Sequence, residues 1–155
     1  MGNQLDQIDK KILNLLQENG RITNAQLAKE VGLSPPPMLE RVRKLEKNSI
    51  IKKYVALVDP KKVDRGTIAF VAVSLRFHRQ DAIQEFVIEI QKFPEVLECY
   101  HITGEEDYLL KVIIKDIAEY ERFLLEKLTR FSGISKIKTF FILSTLKQET
   151  KIPID

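Results

Sequence analysis

The segment from Arg21 to Lys53 limits most strongly how this chain can fold, because it contains the start and stop signals of two short helices. Thr23 and Gln26 have the spacing of a helix capping box, and Gly32 can end that helix in the left-handed conformation. Ser34 then precedes three consecutive prolines, which lack the N–H groups that a capping side chain would bind. We therefore expect that Ser34 does not cap the second helix and that this helix begins late, near Met38.

The second helix of this pair has one apolar side and one charged side. Met38, Val42 and Leu45 recur at the spacing of a helix face, which predicts that they are buried. Lys and Arg on the remaining surface can meet phosphates and base edges when such a helix lies in the major groove of DNA. A helix-turn-helix DNA-binding unit is therefore predicted, and an ordinary helical pair with a solvated charged face is the alternative. The residues predicted to contact DNA are Ser34, Pro36, Pro37, Glu40, Arg41, Arg43, Lys44, Lys47 and Lys52.

The charge distribution supports a DNA partner for the N-terminal part. The formal net charge is only +3. Residues 1–64 contain 12 Lys and Arg residues against 8 acidic residues, whereas residues 65–155 contain 13 against 14. A basic excess that is confined to one part of a chain indicates an anionic partner for that part.

Pro36 and Pro37 lie at the N-terminal end of the second helix, where base edges are usually met. Their rings present apolar surface, and they lack N–H groups that could bind a phosphate. We therefore hypothesise that contact with thymine methyl groups and the shape of the DNA matter more here than hydrogen-bonded readout.

A helix precedes this pair and a strand-like segment follows it. Apolar residues recur at helical spacing from Leu5 to Asn19, with Asp6 placed to cap the start and Gly20 placed to end the helix. The run from Ile50 to Val58 is β-prone and is interrupted by Asp59-Pro60, which predicts a strand that ends there.

The stretch KKVDRG at residues 61–66 predicts a linker between an N-terminal domain over residues 1–60 and a C-terminal domain over residues 67–155. The C-terminal domain shows strand and helix patterns in the order β-α-β-β-α-β, which is the ferredoxin-like arrangement. These segments are Thr67–Phe77, Asp81–Phe93, Val96–Thr103, Asp107–Ile114, Ile117–Phe131 and Ile134–Thr145.

The predicted strands are apolar on both faces, as in FVAV (Phe70 to Val73) and FFIL (Phe140 to Leu143). In a ferredoxin-like fold the two helices cover only one face of the sheet. We therefore expect the other face to meet a second subunit, so that the protein is at least a dimer.

The turn from Ile102 to Tyr108 joins the two halves of this pattern, and turn chemistry alone can explain its Gly104 and its acidic residues. Cys99, His101 and Asp107 could be drawn as a catalytic triad, but two residues along a strand give no assurance of hydrogen-bond geometry. We therefore predict that the chain is not an enzyme.

Composition argues against several other classes of protein. Cys99 is the only cysteine, so an intrachain disulfide is impossible, and we expect its thiol to be buried. Neither a metal site nor a cofactor is expected. No apolar run reaches the roughly 18 residues that a membrane span needs, and residues 1–20 do not resemble a secretory signal. A cytoplasmic protein is expected.

Nearly the whole chain resembles the Lrp/AsnC family of prokaryotic transcriptional regulators. The matching residues are Leu5-Asp6, Asp9, Ile12-Leu13, Asn19-Gly20-Arg21, Leu27-Ala28, Gly32-Leu33-Ser34, Arg41-Val42, Leu45-Glu46, Ile51, Tyr54, Asp59-Pro60, Thr103-Gly104 and Asp107-Tyr108. The resemblance implies an α+β protein in which an N-terminal winged helix-turn-helix domain is followed by a ferredoxin-like βαββαβ ligand-sensing domain.

The resemblance also implies partners and a second site. A dimer that assembles further into an octamer binds double-stranded DNA, and a small effector, often an amino acid, binds near the loop from Tyr100 to Asp107. The positions implied for effector contact are Tyr100, Thr103, Gly104 and Asp107. The chain departs from the family's usual residues at Asn48, where Gly is common, and at Glu105 and Glu106, whose charge suggests a cationic amino acid.

Two alternatives share this architecture. Sirohaem decarboxylases resemble it but act on a tetrapyrrole, and they would need catalytic histidines and a degraded DNA helix. The cations of the predicted recognition helix argue against that reading. The other alternative is a DNA-compacting architectural protein that responds to no effector.

Overall fold

The computed structural model describes residues 5–155, which divide into two compact units. The first unit contains residues 5–57 together with residues 147–155, and the second contains residues 58–146. The sequence had suggested borders at residues 60 and 66, with residues 147–155 kept in the C-terminal domain. Within residues 5–155, every helix is too short or too polar to cross a membrane.

The first unit is built from three helices, α1 (Gln7–Glu18), α2 (Asn24–Val31) and α3 (Pro35–Lys47). Their apolar stripes meet in one core, as the helical spacing predicted. The buried residues of this core are Ile12, Leu13, Leu27, Ala28, Met38 and Leu45.

Most of the predicted helix ends are confirmed. Asp6 caps α1 by accepting the Asp9 backbone N–H at 2.7 Å. Thr23 and Gln26 form both bonds of the capping box of α2, and Gly32 ends this helix in the left-handed conformation with φ 85°. Only glycine adopts such a backbone without a steric penalty, so the sequence signal at this turn was strong.

Two predicted helix ends are wrong. Gly20 directly follows the cap residue of α1, Asn19, but it does not end the helix in the left-handed conformation, because its φ is not positive. The second error concerns α3, which begins at Pro35 rather than near Met38. Proline has a helical φ, and the first turn of a helix needs no N–H donors, so consecutive prolines fit there. Ser34 makes no side-chain cap, as expected.

The run from Ile50 to Val58 is not a strand within this chain, contrary to prediction. Its backbone lies in no ladder of the described residues, and the N–H groups of Ile50 and Ile51 bond the Leu45 carbonyl oxygen at the end of α3. A β-strand needs a neighbouring strand to accept and donate its backbone hydrogen bonds, and residues 5–155 of one copy provide no such strand for this segment. The side chains of Val55, Leu57 and Val58 are consequently more than half exposed.

The predicted linker is folded onto the second unit. Pro60–Val63 forms a 3-10 helix that Asp59 caps, and Asp64 ends it in the left-handed conformation with φ 55°. Arg65 Nη1 lies 2.6 and 2.8 Å from the two carboxylate oxygens of Glu119. The predicted linker is therefore a short helical turn with Arg65 bound to Glu119, which its charged composition did not reveal.

The second unit confirms the ferredoxin-like pattern. Its elements in chain order are β1 (Thr67–Leu75), α4 (Gln80–Ile90), β2 (Val96–His101), β3 (Tyr108–Ile114), α5 (Ile117–Glu126) and β4 (Ile134–Phe141). The strands form one antiparallel sheet in the order β2-β3-β1-β4. A short 3-10 turn, Leu128–Arg130, follows α5.

The two faces of this sheet have different surroundings. Val71 lies opposite Leu110 on the face that the helices cover, and both side chains are fully buried. Phe70 belongs to the other face, where its neighbour on β4 is Phe140, which is 49% exposed. The two helices of the second unit thus leave one apolar face of its sheet uncovered, as predicted.

Cys99 is exposed, contrary to prediction. It lies on β2, which is an edge strand of the sheet. The apolar character of its sequence neighbours indicated a strand, but it did not indicate whether that strand lies at the centre or at the edge.

Candidate functional site

The exposed side of α3 presents a stripe of residues spaced by four, three and four positions, namely Pro36, Glu40, Arg43 and Lys47. This spacing places them on one face of a helix. All four are exposed, and Lys44 lies exposed beside them. Within residues 5–155, Arg43, Lys44 and Lys47 take part in no ion pair of the structure. Their charges are therefore available to an anionic partner.

Arg41 differs from the other cations of α3. Its Nη1 lies 2.7 Å from Asp6 Oδ2 and 2.7 Å from Asp9 Oδ1, and its side chain is 32% exposed. The Asp9 backbone N–H and the Arg41 guanidinium lower the pKa of Asp6. The two carboxylates in turn raise the pKa of Arg41. Arg41 therefore ties α3 to the start of α1, and its guanidinium already has two anionic partners.

The start of α3 is held by α2. Asn24 Nδ2 donates to the Pro35 carbonyl oxygen at 2.8 Å, and the other amide atom, Oδ1, is buried with no hydrogen-bond partner. Ser34, Pro37 and Lys52 are exposed. Sequence patterns could not reveal the Asn24 contact, because Asn24 lies eleven positions from its partner.

A small cavity of about 150 Å³ lies in the first unit behind α3. Leu16, Leu27, Val42 and Tyr54 are among the residues that line it. The Tyr54 hydroxyl donates to Glu46 Oε1 at 3.0 Å. Burial, together with this carboxylate, raises the pKa of Tyr54 to about 12, so the phenol is neutral and remains a donor.

The loop between β2 and β3 contains three of the four positions implied for effector contact. Thr103 and Gly104 are exposed, and Gly104 has φ 130°, a conformation that side chains other than glycine rarely adopt. Asp107 is half-buried at the end of the loop. Its carbonyl oxygen accepts the Ile102 N–H at 2.9 Å, so the two ends of the loop are joined.

The Asp107 carboxylate has two partners. Oδ2 accepts the Leu75 backbone N–H at 2.7 Å, and Oδ1 lies 2.9 Å from His78 Nε2. Burial alone raises the pKa of Asp107, but the Leu75 N–H and the His78 imidazole more than offset it, so the pKa lies below its ordinary value. His78 was not singled out from the sequence, because only the fold brings it to Asp107.

This arrangement is not that of a catalytic triad. Asp107 bonds His78 rather than His101, and the His101 ring stacks on Tyr108 with the ring centroids 5.0 Å apart. Cys99 and His101 share a strand face, as expected, but the carboxylate that a triad needs has other partners.

Tyr100, the fourth predicted effector contact, lies on the uncovered face of the sheet beside Leu109. Its hydroxyl donates to Glu98 Oε2 at 2.5 Å, and Lys111 Nζ donates to Glu98 Oε1 at 2.9 Å. The side chains of Tyr100 and Asp107 thus bind different partners.

Glu106 of the same loop is paired with two lysines of β4. Its Oε1 lies 3.1 Å from Lys138 Nζ and 3.5 Å from Lys136 Nζ. Lys138 and Lys136 lower the pKa of Glu106. Glu105 is exposed and takes part in no ion pair within the described part of the chain.

Two family models match the chain. A winged helix-turn-helix DNA-binding model matches residues 5–52, which contain α1 to α3. An Lrp/AsnC ligand-binding-domain model matches residues 68–152, which contain the sheet and the loop between β2 and β3.

Whole-length relatives agree with both matches. The leucine-responsive regulatory proteins of Salmonella typhimurium and Escherichia coli are 40% identical over 153 residues, which is 99% of this chain and 93% of each relative. A structure of a transcriptional regulator from Neisseria meningitidis in complex with L-Met has a TM-score of 0.92, 41% identity and 97% coverage of both chains. The structure of E. coli AsnC has a TM-score of 0.89 at 27% identity and covers 97% of this chain and 99% of its own.

Proposed function

Because this chain belongs to the Lrp/AsnC family of transcriptional regulators, we propose that α3 reads DNA and that an amino acid acts through the loop between β2 and β3. A DNA-binding helix-turn-helix and a ligand-binding domain in one chain make it a DNA-binding transcriptional regulator of the Lrp type. The observation that supports the proposed DNA contacts most strongly is the exposed stripe on α3, where Arg43 and Lys47, and Lys44 beside them, have no ion pair in the described chain.

The proposed DNA contacts are the exposed ones. Arg43, Lys44 and Lys47 meet phosphates or base edges, and Lys52 adds a phosphate contact. Arg41 acts indirectly, because its two carboxylate partners in α1 would have to be given up before it could reach a phosphate.

The exposed prolines support the proposed mode of readout. Ser34, Pro36 and Pro37 form the exposed start of α3, and the three prolines give it no free N–H group. Thymine methyl contact and DNA shape therefore contribute more than hydrogen bonds at this end of the helix. A binding-site selection with Pro36→Ala and Pro37→Ala tests this, and an unchanged consensus sequence would contradict it.

The uncovered sheet face supports a dimer. Phe70, Leu109 and Phe140 lie on it, and a solvated sheet face of this size would expose a contiguous apolar patch. The run from Ile50 to Val58 pairs with no strand of the described chain, and its backbone beyond Ile51 offers a second surface to another copy. Assembly of dimers into an octamer remains part of the proposal.

A charge on the sheet face tests the dimer. Phe70→Asp should lower the mass measured by sedimentation to that of one chain, because an unpaired carboxylate cannot be buried at an interface without a large cost. Leu125→Asp is the matched control, since Leu125 is an exposed apolar residue on α5. Dissociation in the control alone would show that a different surface holds the dimer together.

The proposed effector is an amino acid with an uncharged side chain. The acidic residues Glu105 and Glu106 suggested a cationic one, but Lys136 and Lys138 already pair with Glu106. Relatives are named for a response to leucine, and a similar structure holds L-Met. Tyr100, Thr103, Gly104 and Asp107 remain the proposed contacts. Calorimetric titration with L-leucine, L-methionine, L-lysine and L-arginine tests the class, and a preference for the two cations would contradict it.

The proposed role includes no catalysis, and it places the protein in the cytoplasm with its DNA. The whole-length relatives are regulators, and the exposed cations of α3 have no use in a sirohaem decarboxylase. An effector-independent architectural protein is the remaining alternative. The test is genome-wide mapping of bound DNA with and without each amino acid, with an Arg43→Ala/Lys47→Ala variant as the control. An occupancy map that the variant reproduces would refute the proposed reading helix.

A further inference from the structure

Residues 147–155, named here the returning segment, lie with the three-helix unit rather than with the sheet from which they emerge. The Gln17 side-chain amide bonds Ile152 in both directions. Gln17 Nε2 donates to the Ile152 carbonyl oxygen at 3.0 Å, and the Ile152 N–H donates to Gln17 Oε1 at 2.6 Å. Asn14 Nδ2 donates to the Ile154 carbonyl oxygen at 3.3 Å. Two amide side chains of α1 therefore bond the backbone of the returning segment at two residues, Ile152 and Ile154.

Apolar and ionic contacts reinforce this docking. Ile154 packs against the core of the three-helix unit, and Lys151 forms an ion pair with Glu18. The cleft between the returning segment and α1 is about 440 Å³. The outer face of α1 is thus a docking surface for an extended peptide, with one apolar anchor and specific backbone bonds.

The first turn of α1 holds the recognition helix. Asp6 and Asp9 bind Arg41 of α3 at 2.7 Å, and Asp6 also caps α1. The returning segment binds α1 near its other end, through Asn14, Gln17 and Glu18. A helix is a rigid element, so a displacement of α1 at the end that binds the returning segment can also displace the end that binds Arg41.

The strand that precedes the returning segment, β4, contacts the proposed effector loop. The strand β4 continues through residues 142–146 into the returning segment, and the Ile142 N–H extends the sheet by bonding the Ile68 carbonyl oxygen at 2.9 Å. Lys136 and Lys138 of β4 bind Glu106 of the loop between β2 and β3. Leu143 and Leu146 of the connection are 98% and 96% exposed, so their side chains have no packing partner in the described chain.

We infer that the returning segment is a strap through which the loop between β2 and β3 acts on the recognition helix. The segment exchanges between a docked and a released state. The ion pairs of Glu106 with β4 and the hydrogen bonds of Gln17 on α1 both shift this equilibrium toward the docked state. Release of the strap loosens α1 and, through Arg41, the orientation of α3. This mechanism rests on the proposed function, because it names the route by which an effector at the loop changes DNA binding.

The test is a double-mutant cycle in the full chain. Glu106→Gln breaks the pairs with β4, and Gln17→Ala breaks the docking on α1. The matched control is Glu105→Gln, since Glu105 is a neighbouring loop acid with no ion pair within residues 5–155. Amide hydrogen exchange is measured without DNA in α1 and in residues 151–154, where Pro153 has no amide and the bonded amide is that of Ile152. DNA affinity is measured on a genomic duplex selected by the unmodified chain.

The strap predicts a non-additive cycle. Glu106→Gln alone should speed exchange in residues 151–154 and change DNA affinity by about two- to threefold, in the range reported for residues that couple two sites. Glu106→Gln in the Gln17→Ala chain should change neither the exchange rate nor the DNA affinity. Glu105→Gln should leave both quantities as they are in the unmodified chain. Removal of residues 151–155 provides a second released background, so that a folding defect in Gln17→Ala does not decide the result.

Two outcomes overturn the strap. One is a Glu106→Gln effect of equal size in the unmodified and released backgrounds, and the other is exchange in residues 151–154 that Glu106→Gln leaves unchanged. Failure of the unmodified chain to bind any duplex would instead refute the proposed function. The exchange measurement would still test whether Glu106 controls the docking of residues 151–154.

Discussion

The cations of α3 should separate into two classes when the salt dependence of DNA binding is measured. Each phosphate contact adds about 0.9 to the slope of log affinity against log salt. A dimer presents every contact twice, so Lys47→Ala should reduce the magnitude of the slope by about 1.8 if Lys47 meets a phosphate. Arg43→Ala should reduce the slope by a similar amount if Arg43 meets a phosphate. If Arg43 meets a base, the variant should change the sequence preference instead. Fluorescence anisotropy over a salt series measures the slope.

Arg41→Ala should behave differently because its guanidinium is engaged within the protein. Loss of the Arg41–Asp9 pair should cost of the order of 1 kcal/mol, the upper end for a partly exposed ion pair. In a domain of this size such a loss lowers the melting temperature by about 4–8 °C. The salt slope should not change once the variant is folded. Asp9→Asn should reproduce the loss of stability, and Lys29→Ala, an exposed cation away from the stripe, should change neither quantity.

The result that refutes this separation is a smaller salt slope in Arg41→Ala with an unchanged melting temperature. Arg41 would then exchange its carboxylates for phosphates on binding. The separation would also fail if Lys47→Ala lowered stability and left the slope intact, since Lys47 would then have a partner within the protein.

Three further predictions concern stability. Met38→Ala should cost about 2–5 kcal/mol in chemical denaturation, because Met38 is fully buried in the core of the three-helix unit. Gly32→Val should destabilise the same unit, because a β-branched residue at φ 85° is strained even in open space. The Asp107 pKa lies below its ordinary value, so its contribution to stability is present above the pKa of the unfolded state and is lost as the pH falls through the folded value. Thermal unfolding of Asp107→Asn should therefore depend less on pH at the acid end than that of the unmodified chain.

Local signals accounted for much of the fold. The capping box at Thr23 and the left-handed glycine at position 32 need only neighbours in sequence, and both are present in the structure. The βαββαβ order followed from the strand-like and helix-like residue patterns along residues 67–145. Ile50 to Val58 was mispredicted because strand formation depends on a partner that the described part of one chain does not contain.

The candidate site was less accessible from the sequence. The cations of α3 were found because helix spacing determines which side chains share a face, but the partners of Arg41 lie more than thirty positions away. His78 beside Asp107 and the lysines beside Glu106 are likewise brought together only by the fold. The docking of residues 147–155 on α1 left no trace in periodicity or composition, because side-chain amides recognise the backbone there.

The most direct test of the central claim is the affinity of the full chain for a selected genomic duplex, measured by anisotropy with increasing L-leucine or L-methionine. An Lrp-type regulator whose loop binds an amino acid predicts tight, salt-dependent binding that at least one of the two amino acids changes. By linkage, DNA must then change the affinity for that amino acid by the same factor. Tight binding that neither amino acid alters would contradict regulation by this class of effector and favour an architectural protein.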